Sequence, residues 1–284
     1  MSDLAALLRN QGANSVPYTD PHFPDRPLTL HSARPRHCTP DIPLVFVHHG
    51  RGRNGQDYRD YWLPLVDEAG VLAIAVEFSD AAFPEARWYN HGNLLDATGR
   101  PNPREDSTYA IDERLFAALQ HQGLTRRRLY GVFGHSAGSQ YVHRMISLGY
   151  RGQVAAAVAA NAGSYAMPEF ATPFPFGLGN LGLTEDDLRA VLRFRLTVMA
   201  GTADIDAGAE NFPRDANSMR QGGTRFERAH RYVATARAMA ERLDAPCHWT
   251  VIDVPGVAHE GDKMSAAAAP ILAAALYASE REPA

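Results

Sequence analysis

The chain has 284 residues, 45% of them hydrophobic and 21% charged, which suits one large α/β domain burying about 75% of its unfolded surface. A net charge of −4 leaves no footprint for nucleic acid. No apolar run approaches the ~20 residues of a membrane span, so neither nucleic acid nor a membrane is an expected partner. The opening MSDLAALLRNQGANSV has no basic n-region and no apolar h-region. The chain as given therefore reads as cytoplasmic, and as secreted or periplasmic where a leader has been removed. Lys263 is the only lysine, so nearly all positive charge is arginine. Cys38 and Cys247 are isolated, lack metal-type spacing and read as free thiols.

In chain order, the pattern predicts strands at 28–31 and 44–48, a helix at 58–69, a strand at 71–78 and a helix at 109–120. A strand at 129–133, a helix at 139–148 and strands at 154–160 and 196–200 follow, then a helix at 225–243, a strand at 249–254 and a helix at 264–278. Strands alternating with helices predict an α/β fold: a mostly parallel sheet covered by helices on both faces. The whole of 1–284 reads as a single domain, and the first strand, set among prolines, as an antiparallel edge. Long connections at 79–107, 161–183 and 201–224 each follow a strand, so they are expected at the carboxyl edge of the sheet, where such folds bind ligands.

Gly134-His135-Ser136-Ala137-Gly138 stands between the strand at 129–133 and the helix at 139–148. This G-x-S-x-G pattern makes a tight turn that lifts the serine out of the sheet as a nucleophile, and the glycines clear space for Cβ atoms that would not fit. A serine needs a base and an orienting acid. Asp204, in Gly201-Thr202-Ala203-Asp204, follows the strand at 196–200, with Asp206 as competitor. His259 lies in Pro255-Gly256-Val257-Ala258-His259-Glu260-Gly261, a glycine-flanked loop after the last strand. An oxyanion hole would combine the N–H of Ala137 with one from the His48-His49-Gly50-Arg51-Gly52 loop, Arg51 first and Gly50 second. His48 and His49 are expected to shape that loop rather than to hold a metal, since no third ligand sits at a useful spacing.

Through the motifs HHGRG, GHSAG, GTAD and PGVAHEG, from about position 44 to 260, the chain resembles the α/β-hydrolases of the polyhydroxybutyrate depolymerase-like and feruloyl esterase-like group. The order Ser136, Asp204, His259 is the order of that fold. Within the group it is most similar to serine-type poly(aspartic acid) hydrolases, through the stretches RGRNGQDYRDYW and NSMRQGGTRFER. It departs from many members in showing no leader and no structural disulfide. The resemblance implies hydrolysis of a carboxylic ester or amide through an acyl-enzyme, with no cofactor; the alternatives are a small-molecule carboxylesterase or feruloyl-type esterase, and a non-catalytic binding protein on the same fold.

The substrate is expected to be polymeric or anionic, poly(aspartic acid)-like or a polyester, with a homodimer as the one protein partner left open. Trp88 and Tyr165, in the aromatic long loops, are candidate pocket walls, as ready to pack over the sheet as to meet a ligand. Arg51, Arg53, Arg87, Arg214, Arg220 and Arg225 all fall in loops at the carboxyl edge, where guanidinium groups can hold carboxylates. Arg53 is the first substrate-binding candidate; others of the set must pair with Asp80, Glu85 or Asp215. Arg126-Arg127-Arg128 precedes a strand, on the opposite edge, and reads as solvated charge.

Overall fold

The computed structural model of the chain describes residues 3–279. Its strands are β1 (Gly12–Tyr18), β2 (Leu28–Arg34), β3 (Leu44–His48), β4 (Leu72–Glu77), β5 (Tyr130–His135), β6 (Val154–Ala160), β7 (Leu196–Gly201) and β8 (Thr250–Val254). They form one eight-stranded sheet in the order β1-β2-β4-β3-β5-β6-β7-β8. From β4 to β8 every neighbouring pair is parallel, whereas β1 and β2 run antiparallel. The strand after Leu28 is thus antiparallel as expected, but the edge is taken by β1. Its residues GANSVPY gave no apolar run: Asn14, Val16 and Tyr18 face inward, and Asn14 is satisfied by the carbonyl of Asn10 at 2.8 Å. Pro17 is tolerated because an edge strand has a side with no ladder to donate to.

The helices are α1 (Gly55–Trp62), α2 (Val66–Ala69), α3 (Glu85–Trp88), α4 (Ile111–His121), α5 (Ala137–Ser147), α6 (Glu185–Leu192), α7 (Ala216–Gln221), α8 (Arg225–Arg242) and α9 (Gly261–Ser279). The single helix expected at 58–69 is split in two at Leu63-Pro64, since proline removes a backbone donor and clashes with the preceding turn. Three helices were not foreseen: the single turn α3, inside the connection at 79–107, and α6 and α7. Helix α6 starts with a capping box in which Thr184 and Asp187 exchange hydrogen bonds, and α7 with Asp215 accepting from the N–H groups of Asn217 and Ser218. Among the described residues no helix is long and apolar enough to cross a membrane.

Side chains alternate across the sheet with the two-residue period of a strand. Phe46, Ile74 and Val132 enter one core together with Tyr141 of α5 and Tyr232 of α8. Val45, Val47 and Phe133 enter the other, with Trp62 of α1 and Leu272 of α9. The central strands are buried on both faces, which is why they read as unbroken apolar runs. Strand β6, VAAAVAA, is alanine-rich, and its small side chains let α5 and α9 close on it from both sides.

Arg59, Arg127, Arg144, Arg225 and Arg228 lie inside the molecule rather than on it. Arg127, expected to be solvated, is buried: its Nη2 donates to the Leu276 carbonyl of the last turn of α9 at 2.7 Å, a cation at a helix C-terminus. Its neighbour Arg126 does stay exposed and pairs with Asp41. Arg144 of α5, 1% exposed, donates to the carbonyls of Asn90 and Pro175 at 3.1 and 3.2 Å. Arg228 of α8, 0% exposed, donates to the carbonyls of Gly163, Pro213 and Gly222.

Candidate active site

Strand β5 ends in the sharp turn that carries Ser136 into α5. Ser136 has φ 59° and ψ −115°, a conformation that a residue with a Cβ adopts only when its surroundings impose it. Those surroundings are crowded. A Cβ on Gly134 would lie 2.1 Å from the carbonyl oxygen of Gly138, and one on Gly138 would lie 2.1 Å from that of His48. Both glycines of the motif are therefore required by close backbone approach.

Asp204 follows β7 in a turn closed by its own N–H to the carbonyl of Gly201 at 3.0 Å. It is 3% exposed, and its Oδ1 receives Arg225 Nη1 at 3.3 Å. Asp206 is exposed and accepts the N–H of Gly208 at 2.8 Å, the work of a turn former. The loop after β8 brings His259 back over the sheet edge. Its Nδ1 lies 2.7 Å from Asp204 Oδ2 and its Nε2 3.0 Å from Ser136 Oγ. One residue missed in the sequence ties the acid and base loops together. Asn161, at φ 51° after β6, accepts the N–H of Gly201 at 2.9 Å and donates to the carbonyl of Ala258 at 2.9 Å. The signal was available in principle, because asparagine is the side chain that best tolerates a left-handed turn.

The loop after β3 passes over Ser136: a Cβ on Gly50 would lie 3.7 Å from that of Ser136. Both histidines of the loop are structural. His48 Nε2 is 2.8 Å from Asp112 Oδ2 in the core, with its ring stacked 4.1 Å from that of Tyr141. His49 donates Nδ1–H to the carbonyl of Gly50 at 2.8 Å and accepts the N–H of Phe78 on Nε2 at 3.0 Å. Burial holds its pKa down at about 3, so it stays neutral and keeps that donor-acceptor pattern. Tyr58 adds a second tie, its hydroxyl lying beside the N–H of Gly50 and 2.8 Å from His135 Nδ1. With Gly50 so engaged, the N–H groups of Arg51 and Ala137 are among those with no acceptor inside the described chain. His135, whose ring centroid is 4.7 Å from that of His259, is held well below the usual histidine pKa by burial, then by His259 and Arg225. It therefore stays neutral beside the candidate base.

Ser136 and Ala137 open into a cavity of about 500 Å³ walled by all three long connections, through residues such as Tyr89, Gly163 and Phe212. Arg51 and Arg53 line it, but two expected wall residues do not. Tyr165 is 0% exposed, stacked on Tyr232 with ring centroids 4.4 Å apart, because its loop turns inward to cover α8. Trp88 packs edge-on against Phe23 outside the cavity, with the guanidinium of Arg26 3.6 Å over its ring. The neighbouring Tyr89 and Asn90 face the cavity instead.

The arginines at this edge are largely committed to the protein. Arg53 donates to the carbonyls of Phe78 and Glu85 at 2.8 and 2.9 Å and lies 3.3 Å from Asp80. Arg225 serves Asp204 and Asn211, Arg214 the carbonyls of Ala207 and Ala209, Arg220 the side chain of Asn217, and Arg87 that of Asn93. Arg53 is therefore a brace of the wall rather than a free clamp. Among the described residues lining the cavity, Arg51 is the cation with no partner in the chain, and Glu85 and Glu210 are carboxylates without an ion pair.

No protein-family model matches the chain, and no curated protein does. Solved structures do. LpqC, a poly(3-hydroxybutyrate) depolymerase from Bordetella parapertussis, is 38% identical over 99% of this chain and 96% of its own, with a TM-score of 0.89. Poly(aspartic acid) hydrolase-1 from Sphingomonas sp. KT-1 is 35% identical over 93% of this chain and 99% of its own, with a TM-score of 0.88. An S-formylglutathione hydrolase from Agrobacterium tumefaciens, 15% identical with a TM-score of 0.56, shares the fold. With the serine elbow and these two full-length likenesses, the chain belongs to the polyhydroxybutyrate depolymerase-like group of α/β-hydrolases, and is a serine hydrolase of carboxylic ester or amide bonds.

Proposed function

We propose that Ser136, His259 and Asp204 are the nucleophile, general base and orienting acid of an acyl-enzyme mechanism. The observation that carries this reading is the relay of contacts at 3.0 and 2.7 Å that joins the three side chains. His259 Nε2 takes the proton of Ser136 as Oγ attacks the scissile carbonyl, then returns it to the leaving oxygen or nitrogen. Water repeats the sequence on the acyl-enzyme. Asp204 holds Nδ1–H, which fixes the tautomer with Nε2 free to accept, and Arg225 in turn fixes Asp204. The N–H groups of Ala137 and Arg51 receive the oxyanion.

Within that chemistry we assign a neutral, oligomeric carboxylic ester as the substrate class. The two full-length relatives divide the options: one is a depolymerase of a neutral polyester, the other a hydrolase of a polyanion. A cavity lined by one unpaired arginine and two unpaired carboxylates does not favour a polyanion. A fluorophosphonate probe should label Ser136 in wild type and not in Ser136→Ala. Turnover of poly(3-hydroxybutyrate) oligomers and of poly(aspartate), side by side, tests the substrate. Faster cleavage of poly(aspartate), with KM rising steeply with salt through a Debye length of ~8 Å at physiological ionic strength, would return the assignment to the polyanion.

A further inference from the structure

The mechanism leaves two polar side chains of the cavity wall without a task. Asn90, just after α3, and Gln140, in the first turns of α5, are each 9% exposed and line the cavity with Ser136. Gln140 follows Ser136 by four residues, its N–H bonded to the Ser136 carbonyl at 3.1 Å, and both line the same cavity. Asn90 Nδ2 donates to Gln140 Oε1, and Gln140 Nε2 donates to Ser164 Oγ at 3.1 Å. The far end is anchored as well, because the carbonyl of Asn90 accepts from Tyr109 Oη at 2.9 Å and Arg144 Nη1 at 3.1 Å, both from the core.

The row is rigid, yet it is not used up. Each amide nitrogen has two hydrogens, of which the chain occupies one, and Asn90 Oδ1 accepts no hydrogen bond within the described chain. A wall that only needed packing would place apolar side chains here, since a nearly buried amide with spare capacity is costly unless something meets it. A neutral amide is also the wrong partner for a carboxylate, which a guanidinium holds far better, and a good one for a carbonyl or hydroxyl oxygen.

We propose that Asn90 and Gln140 form an acyl-chain subsite that hydrogen-bonds an oxygen function three bonds beyond the scissile carbonyl carbon. In a 3-hydroxyacyl chain that oxygen is the free 3-hydroxyl of a terminal unit or the ester oxygen of the next unit. The subsite thereby selects 3-oxygenated acyl groups over plain fatty acyl groups. The inference rests on Ser136 being the nucleophile and on a neutral acyl chain, as proposed above.

The test compares p-nitrophenyl 3-hydroxybutyrate with p-nitrophenyl butyrate, which differ only in that oxygen, and reads the ratio of their kcat/KM values. Wild type should favour the hydroxy ester by about tenfold or more, and Gln140→Met and Asn90→Leu should each lower the ratio by up to about tenfold. Covalent labelling of Ser136 by a fluorophosphonate certifies that a variant has kept its elbow. Should either variant fail that check, Ser164→Ala, which releases Gln140 Nε2, replaces it with the same expected fall. A ratio near one in wild type, or an unchanged ratio in labelled variants, would overturn the subsite while leaving the triad standing. Wild type that turns over neither ester would overturn the reading on which the subsite rests.

Discussion

At φ 59° and ψ −115°, Ser136 occupies a backbone region that costs a residue with a Cβ about 1–3 kcal/mol. Alanine at this position keeps the Cβ and hence the strain, while losing the hydroxyl bond to His259, a contribution of about 0.5–1.5 kcal/mol. Glycine loses the same bond and relieves the strain, at an added cost of about 0.5–1 kcal/mol from the freer unfolded chain. Ser136→Gly should therefore be more stable than Ser136→Ala by about 0.5–2 kcal/mol. For a chain of this size each kcal/mol corresponds to roughly 2–4 °C in Tm, so the two variants separate clearly in a melt. Urea unfolding followed by tryptophan fluorescence gives the free-energy difference, and ester turnover gives the other half of the test. Both variants should lose on the order of a million-fold in kcat. A glycine variant no more stable than the alanine variant would refute the stored strain. Wild-type turnover in either variant would refute Ser136 as nucleophile.

Asp204→Asn should lower kcat by about four orders of magnitude by favouring the wrong tautomer of His259, with Asp206→Asn nearly silent; the reverse outcome in a steady-state assay would exchange their roles. Tyr58→Phe leaves His135 Nδ1 without its partner and loosens the loop at Gly50, so stability should fall by about 1–3 kcal/mol and kcat should drop more than KM rises. An unchanged kcat would separate Tyr58 from the oxyanion loop. Acid stability follows from His49. Its folded pKa, about 3, lies below that of the unfolded chain, so the unfolded state takes up the proton first as pH falls. The stability this residue contributes is complete above about pH 6.5 and is lost progressively down to about pH 3. Urea midpoints at pH 7 and pH 4.5 should therefore differ less in His49→Gln than in wild type, and an equal difference would dismiss His49 as a source of acid lability.

What could be read in advance was whatever local chemistry dictates. The buried strands announced themselves as apolar runs, and the elbow could be found because only glycines tolerate carbonyl oxygens 2.1 Å from a Cβ position. Asp204 and His259 followed from their places after β7 and β8. The misses share one physical cause: the orientation of loop side chains is set by partners far away in sequence. Tyr165 turns inward because Tyr232 and His143 receive it, and Arg53 is occupied by carbonyls 25 and 32 residues on. No period in the sequence encodes such pairings. Strand β1 escaped for a different reason: its inward positions include an asparagine that Asn10 satisfies. Helix α6 did carry its signature, Thr184 followed three residues later by Asp187.

Arg144 and Arg228 grip the three loops around the cavity chiefly by main-chain oxygens: those of Asn90 and Pro175 in one case, and of Gly163, Pro213 and Gly222 in the other, with Met219 Sδ the one side-chain acceptor between them. Such a grip is blind to the identity of the residues it holds, because every amino acid presents the same carbonyl. Loop side chains can then be exchanged one at a time, and the shape of the rim persists while its chemistry drifts. Two homologues of similar outline can in this way come to cleave a neutral polyester and a polyanion, with the arginines beneath them unchanged.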